Sequence, residues 1–180
     1  DGAFALLAEL AAAGATLVHP FDDPLVVAAQ GTAGLEFATD APTVTDVLVS
    51  IGGGGLIAGV ATAFRALAPH ARVWGVETEG PVATPLSSIV TTLSAPAVSD
   101  LTLEHARELL TDVLVVSDAE AVAGTVALAE HAKVWTEPAA GCLVPAARRV
   151  VERVDGPCHL GLLVCGGNAT FADVARWSTA

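Results

Sequence analysis

A chain of 180 residues with 53% hydrophobic and 16% charged side chains can bury a substantial core, and its net charge of −12 argues against nucleic acid or anionic membrane surfaces as partners. No apolar stretch is long and unbroken enough to cross a membrane, and no secretory signal is expected. The three cysteines, at 142, 158 and 165, match no zinc spacing, and in an acidic, lysine-poor chain suited to the cytoplasm they are expected to be reduced thiols.

Residues 1–13 carry Phe4, Leu6, Leu7 and Leu10 at helical spacing, which predicts a helix already under way at the first residue. A short apolar run at 16–18 predicts a strand, and a helix over 24–38 follows. Next come a strand at 47–50, a helix at 55–68 and a strand at 72–76. The longest irregular stretch runs from Thr84 to Leu103, followed by a helix at 103–110 and a strand at 113–116. Ser117-Asp118-Ala119-Glu120 supplies an N-cap for a helix over 118–132. A helix at 138–154 and a strand at 160–164 close the series. Short strands alternating with helices of this length imply an α/β fold of three layers, a mostly parallel twisted sheet covered on both faces. No internal repeat or low-complexity linker interrupts it, so residues 1–180 read as one domain.

The most informative segment is Ser50-Ile51-Gly52-Gly53-Gly54-Gly55-Leu56-Ile57-Ala58-Gly59, between a predicted strand and a predicted helix. Four glycines leave the loop without side chains, so its backbone N–H groups can converge on an anion, and the helix N-terminus adds partial positive charge. Phosphate is the expected guest. Gly53-Gly54-Gly55-Leu56-Ile57-Ala58 also satisfies the dinucleotide pattern G-x-G-x-x-A, with Glu77 where a ribose-binding acid would sit. A cofactor carrying a single phosphate, such as pyridoxal 5'-phosphate, fits the same loop.

Three further segments separate the two classes: His19-Pro20-Phe21-Asp22-Asp23-Pro24 leading to Gln30-Gly31-Thr32-Ala33-Gly34, then Glu137-Pro138-Ala139-Ala140-Gly141, and finally Cys165-Gly166-Gly167-Asn168. In this order, with the glycine loop between, the chain resembles the fold-type II pyridoxal-phosphate enzymes, nearest to the threonine/serine dehydratases and serine racemases. A nucleotide-dependent oxidoreductase would leave the last two segments unexplained. The resemblance implies that Gly52, Gly53, Gly54, Gly55 and Leu56 wrap the cofactor phosphate and that Cys165 faces the pyridine nitrogen. It implies further that Gly166 and Gly167 let the backbone approach the ring, that Asn168 holds the turn and that Glu137 borders the ring. A thiol opposite the nitrogen tolerates a neutral pyridine and a weaker electron sink than an aspartate would maintain. The implied activity is β-elimination from a hydroxy amino acid to a 2-oxo acid and ammonia, with amino-acid racemisation as the neighbouring alternative. A small amino-acid substrate, a cytoplasmic setting and a homodimer of the full-length enzyme follow from the same resemblance.

Two positions depart from the family pattern. Some relatives bind a divalent cation through a Glu and an Asp six residues on; here Glu77 is followed at that distance by Ala83, so no metal site is expected. Serine racemases carry an asparagine where this chain has Phe21. The larger difference is the Schiff-base lysine, which the family holds in an upstream Ser-Phe-Lys-type motif. The single lysine here, Lys133, sits at a predicted helix end, where it complements the dipole, so no catalytic residue is assigned within the chain. The chain therefore reads as the C-terminal half of a longer enzyme, inactive alone, with a non-catalytic cofactor-binding fragment as the alternative. His19 is expected to be structural, Asp22, Asp23 and Glu36 to be caps or solvated acids, Cys142 to be core and Cys158 to have no role. His70, His105, His131 and His159 form no ligand spacing.

Overall fold

Among the described residues four short strands rich in valine and leucine pair side by side, each pairing parallel: β1 (Asp46–Ser50), β2 (Arg72–Thr78), β3 (Asp112–Val116) and β4 (Leu160–Leu162), in the spatial order β3-β2-β1-β4. The computed structural model describes residues 2–79, 93 and 98–178, with side chains from Ala5 onward. The helices are α1 (Gly2–Ala12), α2 (Pro24–Asp40), α3 (Gly55–Leu67), α4 (Asp100–Leu109), α5 (Asp118–Ala127), α6 (Pro138–Gly141), α7 (Leu143–Arg153) and α8 (Phe171–Trp177).

Alternation along the strands divides the core into two layers. Val47, Val49 and Val73 point to one face and pack with Ile57, Val60 and Phe64 of α3 and Ala38 of α2. Leu48, Trp74 and Val76 point to the other face and pack with Leu114, Val116, Ala121, Cys142, Leu143 and Val150. The result is the expected three-layer α/β arrangement. Close helix packing depends on small residues: a side chain on Gly59 of α3 would lie 2.3 Å from the Val27 carbonyl oxygen and 2.5 Å from the Gly31 amide nitrogen of α2. Asp23 caps α2 by accepting from Leu25 N at 2.8 Å, and Pro24 stands in its first turn.

The amino ends of β1 and β2 are tied by a buried carboxylate. Asp46, 0% exposed, accepts from Arg72 Nε at 2.7 Å and Nη2 at 2.9 Å, from Trp74 Nε1 at 2.8 Å and from Thr45 Oγ1 at 2.7 Å. Cys158 Sγ donates to the same carboxylate at 3.3 Å, so this thiol has a structural partner that its sequence context did not suggest. Cys142 lies in the core as expected.

Several boundaries differ from expectation. Residues 16–18 form no strand; Leu17 and Val18 are exposed, and among the described residues no neighbouring strand receives their backbone. The helix expected over 138–154 divides at Cys142, because the Gly141 carbonyl would need the amide of residue 145, which is Pro145 and has none. The helix expected over 118–132 ends at Ala127 and continues as a π turn, Leu128–Ala132, closed by Lys133 at φ 61°. The helix expected to begin at 103 starts at Asp100 under a Ser99 cap. Strand β4 stops at Leu162 rather than 164. The apolar series on α1 leaves Leu6 and Leu10 about half exposed; the Phe4 side chain and Ala83 lie outside the described residues.

Candidate functional site

The strand order locates the site. Connections from β1 lead to β2 and then β3 on one side, whereas β4 adds on the other side of β1. In open parallel sheets a crevice forms beyond the carboxyl ends of the strands where the order reverses, here between β1 and β4. The glycine loop leaves the carboxyl end of β1, and Cys165-Gly166-Gly167-Asn168 follows the carboxyl end of β4. Two segments that are far apart in sequence are thus brought to one crevice.

The loop is built around missing side chains. Gly54 adopts φ +89°, and as N-cap of α3 it provides no side-chain hydrogen bond, so the first N–H groups of that helix are available to an outside acceptor. A Cβ on Gly53 would lie 2.0 Å from Phe21 Cδ1, and one on Gly55 would lie 2.9 Å from Phe21 Cα. Phe21 therefore packs directly on the loop. His19 holds it there: its Nδ1 accepts from Asp22 N at 2.7 Å and Phe21 N at 3.4 Å, and the rings meet edge to face at 4.7 Å. This agrees with a structural role for His19. On the other side, Thr102 of α4 donates to the Gly53 carbonyl at 2.9 Å.

The tail is anchored to the segment before α6. Glu137 N donates to the Gly166 carbonyl at 3.0 Å, and Trp135 Nε1 donates to the Ala169 carbonyl at 2.9 Å. Glu137 is the N-cap residue of α6, but its carboxylate makes no cap bond; Oε1 would be only 2.1 Å from a Cβ on Gly166. Asn168 is the central residue of a tight turn closed by Ala169 N on the Gly167 carbonyl at 2.8 Å. Thr136 Oγ1, beside Glu137, is buried without a hydrogen-bond partner among the described residues. Cys165 is exposed at its surface while its sulfur rests toward the Leu163 carbonyl; partial burial pushes the thiol up, and the Glu137 carboxylate adds to the effect. Both effects favour the uncharged form of the thiol. Glu137→Gln is expected to speed alkylation of Cys165 by iodoacetamide at mildly alkaline pH, followed by peptide mapping; an unchanged rate would show that the carboxylate does not act on the thiol.

Lys133 lies elsewhere in its contacts, donating through Nζ to the Glu130 carbonyl at 2.6 Å. Glu77, near the end of β2, has its carboxyl raised by burial, and among the described residues no group of three or more His, Cys, Asp or Glu side chains could hold a metal ion. Of the side chains that pack on the loop, Phe21 stood out in the sequence only as a departure from the family pattern, and Thr102 carried no signal beyond a Ser99–Thr102 spacing typical of helix starts.

Residues 1–166 match the family model described as pyridoxal-phosphate dependent enzyme. The chain belongs to this family. It is 41% identical over 174 residues to L-threonine ammonia-lyase of Geobacter sulfurreducens, covering 86% of this chain and 42% of that protein. It is 33% identical over 178 residues to serine racemase of Schizosaccharomyces pombe, covering 92% and 54% respectively. Among solved structures, a threonine deaminase from T.th. superposes with a TM-score of 0.81 at 34% identity, covering 88% of this chain and 64% of that one. Maize serine racemase superposes with a TM-score of 0.80 at 32% identity, covering 91% and 55%. The chain spans about half the length of the curated relatives it matches, between 42% and 54% in these two cases. The family's cofactor, pyridoxal phosphate, carries a phosphate, the guest expected of the glycine loop, and is the class that the later motifs favoured over a dinucleotide.

Proposed function

We propose that this chain is the cofactor-holding part of a threonine/serine dehydratase-like ammonia-lyase, which converts a hydroxy amino acid to a 2-oxo acid and ammonia. The observation that carries the proposal is the meeting of the glycine loop and the Cys165 segment at the point where strand order reverses. Backbone amides of Gly52, Gly53, Gly54, Gly55 and Leu56 would hold the phosphate, aided by the uncapped N-terminus of α3. Cys165 would face the pyridine nitrogen as a neutral thiol, Glu137 would border the ring, Gly166 would admit it without steric contact, and Asn168 would keep the turn. When bound, pyridoxal phosphate supplies the electron sink for breaking bonds at the substrate α-carbon. A neutral thiol beside the nitrogen keeps that sink weak, which suits elimination of a β-hydroxyl.

The contact of Lys133 with a backbone carbonyl supports assigning the Schiff-base lysine to a segment outside these 180 residues, so that the chain alone binds cofactor without turnover. From the family resemblance we take residues 1–180 to be one cofactor-binding domain of a cytoplasmic, homodimeric enzyme acting on a small amino acid. The similarity to serine racemases supports amino-acid racemisation as a second reading.

Two measurements test this. Titration of the chain with pyridoxal 5'-phosphate should show saturable binding competed by inorganic phosphate, and borohydride should leave no covalent label on Lys133. Absence of saturable binding would remove the cofactor assignment, and a label at Lys133 would remove the upstream lysine. A soluble fusion of this chain behind the upstream part of the Geobacter relative should then release 2-oxo acid from L-threonine or L-serine faster than it forms the D-amino acid. The reverse order would favour the racemase, and a cofactor-loaded fusion doing neither would favour an inert fragment.

A further inference from the structure

We propose that Thr102 of α4 is a positioning residue for the phosphate cradle, setting the direction in which the Gly54 amide points. The inference rests on the reading of the glycine loop as that cradle.

Thr102 is 2% exposed, and its single hydroxyl proton has two carbonyls in reach: Gly53 at 2.9 Å and Ser99 at 3.2 Å. The shorter contact reaches across 49 positions of sequence to the loop. The same oxygen accepts from Ser99 N at 3.2 Å, while Ser99 Oγ accepts from Thr102 N at 3.2 Å. This is a capping box in which threonine stands where Glu or Gln is usual. A carboxylate there could accept from Ser99 N but would have no proton for Gly53. Threonine does both, so the helix start and the loop share one hydroxyl.

The consequence for the loop follows from peptide geometry. A trans peptide holds the C=O of one residue and the N–H of the next in opposite directions, and no cis bond occurs among the described residues. With the Gly53 carbonyl turned to Thr102, the Gly54 N–H must point away from α4. The contact is also steric: a Cβ on Gly54 would lie 2.8 Å from Thr102 Cβ, so the loop lies flush against this side chain. Glycine peptides rotate at little cost. Without the hydroxyl, the Gly53–Gly54 peptide is free to flip and turn its carbonyl oxygen, rather than its N–H, toward an incoming phosphate. An oxygen there repels the anion, so one lost hydrogen bond affects binding more than it affects folding.

The test compares Thr102→Val, Thr102→Ser and Ser99→Ala in the 180-residue chain. Affinity for pyridoxal 5'-phosphate is read by absorbance titration, the bound phosphorus by 31P NMR, and stability by urea unfolding without ligand. Thr102→Val keeps the shape and removes the hydroxyl, and is expected to weaken binding about tenfold with a shifted phosphorus resonance. Thr102→Ser keeps the hydroxyl and should restore affinity. Ser99→Ala loosens the same helix start but leaves the Gly53 bond in place, so it should lower stability and leave affinity within about twofold. Equal loss of affinity in Thr102→Val and Ser99→Ala would overturn the proposal in favour of general loosening of α4. Wild-type affinity in Thr102→Val would also overturn it, while leaving the cofactor assignment intact. No binding by the unaltered chain would remove both.

Discussion

Asp46→Ala should lower the unfolding free energy by about 3 kcal/mol, the cost of leaving buried donors without their acceptor. The residue itself is fully buried, and among the described residues Trp74 Nε1 donates only to Asp46, at 2.8 Å. The Arg72 side chain is 40% exposed, so water takes back much of its share and the larger loss falls on Trp74. Burial alone would raise the Asp46 carboxyl, but the hydrogen bonds from Arg72, Thr45, Trp74 and Cys158 outweigh it and hold the pKa at about 2, against 3.8 for the free group. A folded pKa below the unfolded one means that the stabilisation is complete above the unfolded value and is lost as the pH falls through the folded value. The window therefore lies between roughly pH 4 and pH 2, and the term is worth about 2 kcal/mol at neutral pH. Urea unfolding across that window should show a slope in the parent chain that Asp46→Asn reduces, the remainder coming from carboxylates such as Glu120 that are also held low. A parent chain with flat stability there, or an Asp46→Ala chain with an unchanged midpoint, would contradict the account.

Gly59→Ala presents an opposite expectation from helix propensity. In an exposed helix interior, alanine in place of glycine stabilises by up to about 1 kcal/mol. Here the new methyl carbon would lie 2.3 Å from the Val27 carbonyl oxygen, 2.5 Å from Gly31 N and 2.9 Å from the Gln30 carbonyl carbon. All three are backbone atoms, so no rotamer change relieves the overlap and α2 must move as a body. The overpacking cost, about 3 kcal/mol, exceeds the propensity gain. Because α3 begins at the glycine loop, a displaced α3 should also weaken phosphate binding. Gly31→Ala is the comparison: its Cβ would meet the Gly59 oxygen at 3.2 Å, close enough to strain but within reach of small adjustments. Thermal unfolding should rank the parent above Gly31→Ala and Gly31→Ala above Gly59→Ala. A stabilised Gly59→Ala would mean that α2 and α3 do not approach as closely as this.

What was legible in the sequence was local in origin. Alternation of apolar runs with alanine-rich stretches identified β1 to β4 and α2, α3 and α5 because strand and helix periods are written in consecutive residues. Ser117 and Glu120 form the capping box at the start of α5, with Glu120 Oε2 accepting from Ser117 N at 2.8 Å, because a cap involves only neighbours. The four glycines of the loop were visible for the same reason, as was the order of motifs that led to the family. Even one missed boundary had a local cause: Pro145 carried the signal for the break at Cys142. Other features needed the fold. Residues 16–18 have strand-like composition but no strand, since backbone groups pair only with a partner that tertiary structure must supply. Cys158 meets Asp46 across 112 positions and Thr102 meets Gly53 across 49, distances over which no periodicity or spacing rule operates. The sequence by itself determined most of the elements and the glycine-rich loop between β1 and α3, through short-range sterics and hydrogen bonding. Which way the Gly53 carbonyl turns, and which side chains pack on that loop, only the tertiary structure decided, because the Thr102 and Phe21 contacts exist only once α4 and the segment before α2 are packed against the loop and α3.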